Sequence, residues 1–252
     1  MLTLTHITKA YRDKTVLQDV SVTFQPGRLV SIIGPNGAGK STLLGVITQL
    51  SPQTGGEVRL DDRPITAYDR QALAKRISFL RQSNAVNVRL TVRELIAFGR
   101  FPYSQGRLTK EDEAKIEGAI QYLQLEAMAD RFIDQLSGGE RQRAFIAMTL
   151  AQDTDYVLLD EPLNNLDMKH SVQIMKALRQ MVDQLGKTVV IVIHDINFAS
   201  FYSDEIIAIK QGQLVEQGDT GVIINEDMLR NIYDMDIRVT NINDKRLCEY
   251  FQ

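Results

Sequence analysis

The run Gly34-Pro35-Asn36-Gly37-Ala38-Gly39-Lys40-Ser41-Thr42 sets a glycine, four residues, a second glycine, a lysine and a hydroxyl residue in series. That spacing suits a cradle for phosphate. Gly34, Gly37 and Gly39 let the backbone curl around phosphate oxygens at φ values other residues resist. Lys40 brings a point charge to the β- and γ-phosphates. Ser41 offers its hydroxyl to Mg²⁺.

Two further constellations could do chemistry with such a loop. Tyr156-Val157-Leu158-Leu159-Asp160-Glu161 is an apolar strand that ends in two carboxylates. A phosphate loop needs an acid at a neighbouring strand end to hold Mg²⁺, and Asp160 fits. Side chains alternate along a strand, so Glu161 is expected to point elsewhere and to be free to polarise an attacking water. Leu136-Ser137-Gly138-Gly139-Glu140 precedes a helical run from Arg141 to Ala151. A serine and two glycines at a helix start form a second anion site. One ATP has no need of two cradles from one subunit, so a pair of chains is implied, each cradle completing the other's site.

These residues need elements to position them. Leu29, Val30, Ile32 and Ile33 follow the turn pair Pro26-Gly27 and predict a buried strand. Leu43, Leu44, Ile47 and Leu50 lie on one helix face after Lys40. The glycines therefore sit between a strand end and a helix start, where free N–H groups and the helix dipole favour anions. Residues 2 to 24 predict antiparallel strands with a loop near Tyr11 to Lys14, and Glu57 to Leu60 and Ile77 to Leu80 predict short strands. Thr91-Val92-Arg93-Glu94 is a capping box opening a helix, Gly99 to Gly106 is expected to be a loop, and Thr109 starts a longer helix. From Tyr156 strands and helices alternate: a helix near 170 to 185, the Val189 to Ile193 strand, and a hairpin at Gln211-Gly212. The fold class is α/β, a largely parallel sheet with an N-terminal antiparallel part and a helical insert. The expected organisation is a single domain over 1–252, with a core lobe of about 1–82 and 156–252 and a helical lobe of about 83–155.

Composition bounds the function classes. A hydrophobic content of 44% supports a real core. A net charge of −3 gives no basic excess that would make nucleic acid the main partner. The lone Cys248 excludes an intramolecular disulfide and any multi-cysteine metal site, fits a reducing cytoplasm, and is expected to be a plain near-terminal side chain. The longest strongly apolar stretch, Val189 to Ile193, falls far short of the roughly 18 residues of a membrane span. The N-terminus lacks a basic start with an apolar core, so no signal peptide is expected.

Together, Gly34 to Thr42, Gln82, Leu136 to Glu140, Tyr156 to Glu161, Asn164-Asn165-Leu166-Asp167 and His194 resemble the ATPase subunit of ABC transporters, in that family's order and over essentially the whole chain. The Leu-Ser-Gly-Gly run separates this family from other phosphate-loop ATPases. The resemblance implies a RecA-like phosphate-loop core with an inserted α-helical subdomain, and ATP and Mg²⁺ as ligands. It implies that Tyr11 stacks on adenine and that Gly34, Pro35, Asn36, Gly37, Ala38, Gly39, Lys40, Ser41 and Thr42 bind the nucleotide. Gln82 matches a Mg²⁺-sensing glutamine that joins the lobes, beside Ser41 and Asp160. Ser137, Gly138, Gly139 and Glu140 match the signature facing the opposite subunit's ATP. Asp167 matches an acid that couples the two sites, and His194 a switch histidine on the γ-phosphate. His6 and His170 stay unassigned.

The implied cycle is ATP-driven closure of two copies, hydrolysis with Glu161 as the water-positioning base, and reopening passed to membrane permease subunits served by a substrate-binding protein. The implied location is peripheral, on the cytoplasmic face of the bacterial inner membrane. Phe98-Gly99-Arg100-Phe101-Pro102-Tyr103 and the stretch from Asp160 to His170 are similar to iron–siderophore importers, closest to those for catecholate siderophores such as petrobactin, enterobactin or vibriobactin. Vitamin B12 and haem importers share the architecture. A soluble relative acting on nucleic acid or ribosomes is the other class, disfavoured by the absence of a long coiled coil and of a second ATPase half. Intact Lys40, Asp160, Glu161 and His194 argue against a non-hydrolysing binding module.

Overall fold

The computed structural model describes residues 1–82, 88–243 and 245–250. The chain forms two compact units, Met1–Tyr68 with Thr188–Gln252, and Asp69–Lys187. The predicted lobe boundary at 83 lies outside the described residues. The observed units divide elsewhere because Ile77–Leu80 and Tyr156–Asp160, drawn in the core lobe, group with the helices between them.

The first unit opens with β1 (Leu2–Tyr11) and β2 (Lys14–Phe24), then β3 (Leu29–Ile33), α1 (Lys40–Ile47), β4 (Gly55–Leu60) and the two-residue β5 (Arg63–Pro64). β1 pairs antiparallel with β2 on one side and β4 on the other. Its inward residues Leu2, Leu4 and Ile7 are fully or almost fully buried, as a half-buried strand requires.

The second unit holds α2 (Arg70–Ala74), β6 (Ile77–Leu80), α3 (Val92–Phe98), α4 (Phe101–Ser104), α5 (Lys110–Tyr122), α6 (Gly138–Ala151), β7 (Tyr156–Asp160) and α7 (Met168–Leu185). β6 and β7 run parallel, and the backbone N–H of Tyr156 donates to Arg76 O at 3.1 Å. Capping boxes start α3 at Thr91/Glu94 and α5 at Thr109/Asp112. The expected loop from Gly99 to Gly106 contains the short α4, since Pro102 sits in its first turn, where a missing N–H is harmless. Gly99 lets α3 and α6 close up: a Cβ there would stand 2.1 Å from Met148 O. Next to it, Arg100 is buried, donates to Asp112 at 2.8 Å and to Ala151 O at 2.9 Å, and so ties α5 to the end of α6.

The chain returns to the first unit with β8 (Thr188–Val192), α8 (Ile196–Tyr202), β9 (Glu205–Lys210), β10 (Gln213–Asp219), α9 (Thr220–Ile223), α10 (Glu226–Tyr233), β11 (Arg238–Ile242) and β12 (Lys245–Glu249). β3 lies between β8 and β9, parallel to both, and β10 turns back antiparallel beside β9. Leu29, Val30, Ile32 and Ile33 are fully buried, which is why β3 is apolar at every position but Ser31 instead of alternating, and Ser31 Oγ shares a hydrogen bond with Ser203 Oγ at 2.6 Å. Cys248 is not a loose terminal side chain: it is buried in β12, and burial pushes its thiol up to about 11. Among the described residues no helix is long and apolar enough to cross a membrane.

Arg100→Met leaves Asp112 charged, buried and short of its cation. The expected loss is about 3–5 kcal/mol of unfolding free energy, read from the denaturant midpoint. A midpoint within error of the wild type would show that the pair carries no stability.

Candidate functional site

In the first unit, the run from Gly34 to Lys40 links β3 to α1 as expected. Gly34, Gly37 and Gly39 have φ values of 140°, 77° and 104°, conformations that L side chains resist. Close approach adds a second requirement. A Cβ on Gly34 would lie 1.9 Å from Ile209 O, and one on Gly39 would lie 2.7 Å from Leu17 Cδ2 and 3.0 Å from Val16 O. At the β9–β10 turn, Gln211 and Gly212 both take positive φ, 50° and 79°. This turn donates from Gly212 N to Ala38 O at 3.0 Å and accepts at Gly212 O from Gln18 N at 2.8 Å. The loop is thus pinned from behind by β9 and β2. Its tip is open: Asn36 and Gly37 are exposed, and nothing lies within 4 Å of a Cβ built on Gly37.

Lys40 is 4% exposed and folds back across the loop, donating to Gly34 O at 2.7 Å and Pro35 O at 2.9 Å. The N-cap of α1 is Gly39, which makes no side-chain cap hydrogen bond. A pinned turn, a helix start without a side-chain cap and a lysine held over the loop fit a polyphosphate. Ser41 and Thr42 form the next part of the first turn, with Ser41 exposed.

Two other predicted residues belong to this unit. Tyr11 is exposed at the end of β1; its hydroxyl shares a hydrogen bond with Ser51 Oγ at 2.6 Å, and Lys9 Nζ sits 4.7 Å from the ring centroid. A tyrosine held at its tip keeps a defined ring plane, as stacking needs. His194 is exposed, two residues beyond β8. Ile193 N donates to Ile32 O at 3.2 Å, so His194 and Gly34 leave the carboxyl ends of adjacent parallel strands, where α/β sheets take ligands.

The second unit holds the acids. Asp160 is 6% exposed at the end of β7. Strand alternation does not separate it from Glu161. β7 has ended, and Glu161 takes a left-handed φ of 51°, so a tight turn redirects the side chain. Glu161 Oε2 accepts from Gln82 Nε2 and from Asn164 Nδ2. Gln82 and Glu161, singled out separately, are therefore joined, and Asn164, named in the sequence only as part of the Asn164 to Asp167 run and given no role, is a further partner. Its only signal was its place three residues after Glu161 in a turn-rich stretch.

Ser137 caps α6, and Glu140 closes a capping box by accepting from Ser137 N at 2.9 Å and Ser137 Oγ at 2.8 Å. Those two bonds, backbone first, hold the Glu140 carboxyl below its ordinary range. Ser137 and Gly138 are exposed, while Gly139 is buried. A Cβ on Gly139 would stand 2.4 Å from His170 Cγ, so an imidazole occupies that space. Asp167 caps α7, accepting from His170 N at 2.8 Å and pairing with His170 Nδ1 at 2.9 Å. These bonds, backbone first, lower the Asp167 carboxyl as well. His170, left unassigned from sequence, thus joins the start of α7 to the second glycine at the start of α6.

Among the described residues no cluster of three or more His, Cys, Asp or Glu could hold a metal alone. The residues expected to meet a metal, Ser41 in the first unit and Gln82 and Asp160 in the second, each offer oxygen. Donors of that chemistry suit a hard cation such as Mg²⁺ and do not suit a soft metal.

The first unit's loop defines a phosphate-loop nucleotide-binding protein. The family model "ABC transporter" matches residues 17–164. The petrobactin import ATP-binding protein YclP of Bacillus subtilis (strain 168) is 54% identical over 251 residues, covering 100% of both chains. The ferric enterobactin transport ATP-binding protein FepC of Escherichia coli (strain K12) is 38% identical, over 91% of this chain and 85% of that one. Among solved structures, the dimeric post-hydrolysis state of the ATP-binding cassette MJ0796 bound to ADP and Pi aligns with a TM-score of 0.77 and 34% identity, over 87% of this chain and 99% of that chain. The chain belongs to the ABC transporter family, as an ATP-binding ATPase subunit with the phosphate-loop α/β fold expected from its sequence.

Lys40→Ala removes the charge that spans the loop. Nucleotide affinity should fall at least about tenfold, a change of about 1.4 kcal/mol, in a fluorescent-nucleotide titration. Wild-type affinity in a folded variant would overturn the placement of phosphate at this loop. For Asp167, the folded-state value is depressed. Its contribution to stability is therefore complete above the ordinary aspartate range and is lost as pH falls through the depressed value. Asp167→Asn should flatten the acid limb of a thermal-stability profile.

Proposed function

We propose that the chain is the ATP-hydrolysing subunit that powers import of a ferric siderophore of the petrobactin type through membrane permease subunits. One observation carries the cargo class: the end-to-end 54% identity to a petrobactin import ATP-binding protein. The pinned phosphate loop supports the ATPase part of the reading. Ferric siderophore is the cargo, not a resident cofactor.

Geometry within each unit supports the following roles. The 34–42 loop, with Gly34, Pro35, Asn36, Gly37, Ala38, Gly39, Lys40, Ser41 and Thr42, takes the polyphosphate, and Tyr11 stacks on the base. Ser41, Asp160 and Gln82 would offer oxygens to Mg²⁺, which would supply charge neutralisation on the polyphosphate. Glu161 orients and polarises the attacking water, and the amides of Gln82 and Asn164 set the position of its carboxylate. His194 donates to the γ-phosphate as charge builds in the transition state. Water attacks phosphorus in line, and the bond to the bridging oxygen breaks with ADP as leaving group.

The signature residues Ser137, Gly138, Gly139 and Glu140, with Asp167, serve a second copy of the chain. Ser137, Gly138 and Asp167 are exposed although their caps are already formed, which supports a role outward from the unit. The homodimer of the MJ0796 cassette is consistent with this arrangement. We place the chain peripherally on the cytoplasmic side of the cell membrane, beside its permease and served by a substrate-binding protein, with no nucleic-acid partner. The whole chain works as one ABC-type ATPase domain, its helical lobe contacting the permease.

Glu161→Gln keeps the size and most of the hydrogen bonding but removes the base. ATP binding should persist, phosphate release should fall by at least about a hundredfold, and ATP should hold a dimer in light scattering. Normal turnover would remove Glu161 from the reaction. In a strain lacking the gene, growth on ferric petrobactin as sole iron source should fail and be restored by the wild-type gene but not by Glu161→Gln. Failure confined to haem or to vitamin B12 uptake would reassign the cargo and leave the ATPase intact.

A further inference from the structure

The C-terminal hairpin is tied to α8 by bonds that point back towards His194. Asp195, the residue after His194, caps α8 by accepting from Asn197 N at 2.8 Å. The Asn197 side chain is in turn spent on the backbone of Cys248 in β12. Its Oδ1 accepts from Cys248 N at 2.7 Å, and its Nδ2 donates to Cys248 O at 3.1 Å. Both bonds fix which way the amide points, since a flipped amide would set donor against donor and acceptor against acceptor. The asparagine thus stands where a neighbouring strand would, pairing with both polar groups of one residue.

The anchor is itself held. β12 pairs with β11 from Arg238↔Glu249 to Ile242↔Lys245, and the Cys248 side chain is buried. Arg246 donates to Gly221 O at 2.6 Å and to Ile224 O, joining β12 to the α9 region. One turn further along α8, Ser200 Oγ donates to Arg246 O at 2.6 Å. On the other side, Ile193 N bonds to Ile32 O of β3. The short segment of His194 and Asp195 is therefore clamped at both ends: by β3 before it, and by Asn197 on β12 after it. Ordinary helix capping needs only Asp195, so the pair of side-chain bonds from Asn197 to β12 is additional to what α8 needs to form.

We propose that Asn197 is a positioning residue for ATP hydrolysis, using β12 as a fixed anchor to set where His194 stands. The inference rests on the role given above to His194 in the γ-phosphate's transition state. A misplacement of about 1 Å in a catalytic group is enough to cost a large factor in rate. Binding of ATP, carried by the 34–42 loop, does not run through this clamp.

The test is turnover and nucleotide affinity in the full-length chain for Asn197→Leu, Ser200→Ala, His194→Ala and the double variant Asn197→Leu/His194→Ala. Leucine keeps the bulk of Asn197 and removes both bonds. Expected is a fall of about tenfold in kcat, equal to about 1.4 kcal/mol, with less than a twofold change in ATP affinity. Ser200→Ala, which loses a bond to the same strand farther from His194, should keep kcat while lowering Tm. In the His194→Ala background the Asn197→Leu change should cost nothing more, whereas a purely structural loss would add to it. If His194→Ala keeps full turnover, the catalytic role of His194 falls. If His194→Ala is inactive while folded Asn197→Leu turns over like the wild type, the positioning role alone falls. Should Asn197→Leu not fold, Asn197→Asp keeps the acceptor for Cys248 N and loses the donor, and unchanged kcat in that variant also overturns the proposal.

Discussion

The phosphate loop depends on backbone approaching backbone more closely than a Cβ allows. Gly34 against Ile209 O, Gly39 against Val16 O and Gly212 against Val16 O are three such contacts, and all three glycines also have positive φ. The first two set the loop against β9 and β2, and the third sets the β9–β10 turn, which bonds to Ala38 O, against β2. A loop fixed this way is held mainly through backbone, to which Lys40 Nζ adds bonds to Gly34 O and Pro35 O. Its tip, free of side chains around Gly37, is left open to a ligand. Preorganisation of this sort is what lets N–H dipoles stabilise charge without reorganising at the moment of reaction.

The second unit uses a different device. Its two candidate partner-facing segments are helix starts whose caps are satisfied internally, by Ser137 with Glu140 and by Asp167 with His170. The caps are linked through the His170 ring lying where a Cβ of Gly139 would be. A side chain at position 139 would push the two helix starts apart, so that glycine serves packing between helices as well as access to a ligand. Glu161 follows a third route, a non-glycine residue in the left-handed region, which costs on the order of 1–3 kcal/mol and persists because its surroundings hold it. Here Gln82 and Asn164 supply that hold through the carboxylate.

What the sequence discloses divides along the range of the interaction. Gly34 to Thr42, the Thr91/Glu94 box and the buried β3 and β7 strands were legible because each is a local pattern with a local cause. The start of α4 at Phe101-Pro102 was hidden by glycines on both sides, which outweighed a proline placed where helices begin. His170 and Asn197 were not legible, because what each does is set by distant chain, Gly139 for the first and Cys248, 51 residues away, for the second. The local Asn164 to Glu161 bond depends on a left-handed turn that no residue type there announces. Glu161 was singled out for an inadequate reason: strand alternation was invoked, and a left-handed turn does the redirecting. The siderophore is beyond any physical reading of this chain. No residue here is proposed to touch it, so similarity to relatives alone speaks to it.

Burial sorts the candidate residues by task. Lys40 in the first unit and Asp160 in the second, the proposed phosphate and metal contacts, are 4% and 6% exposed, where weak screening makes each charge count most. His194, Ser137, Gly138 and Asp167 are exposed, and Met168, beside Asp167, is 80% exposed. Lys40 and Asp160 are thus sealed within the fold of their own units, and the helix-start candidates Ser137, Gly138 and Asp167 lie at the surface.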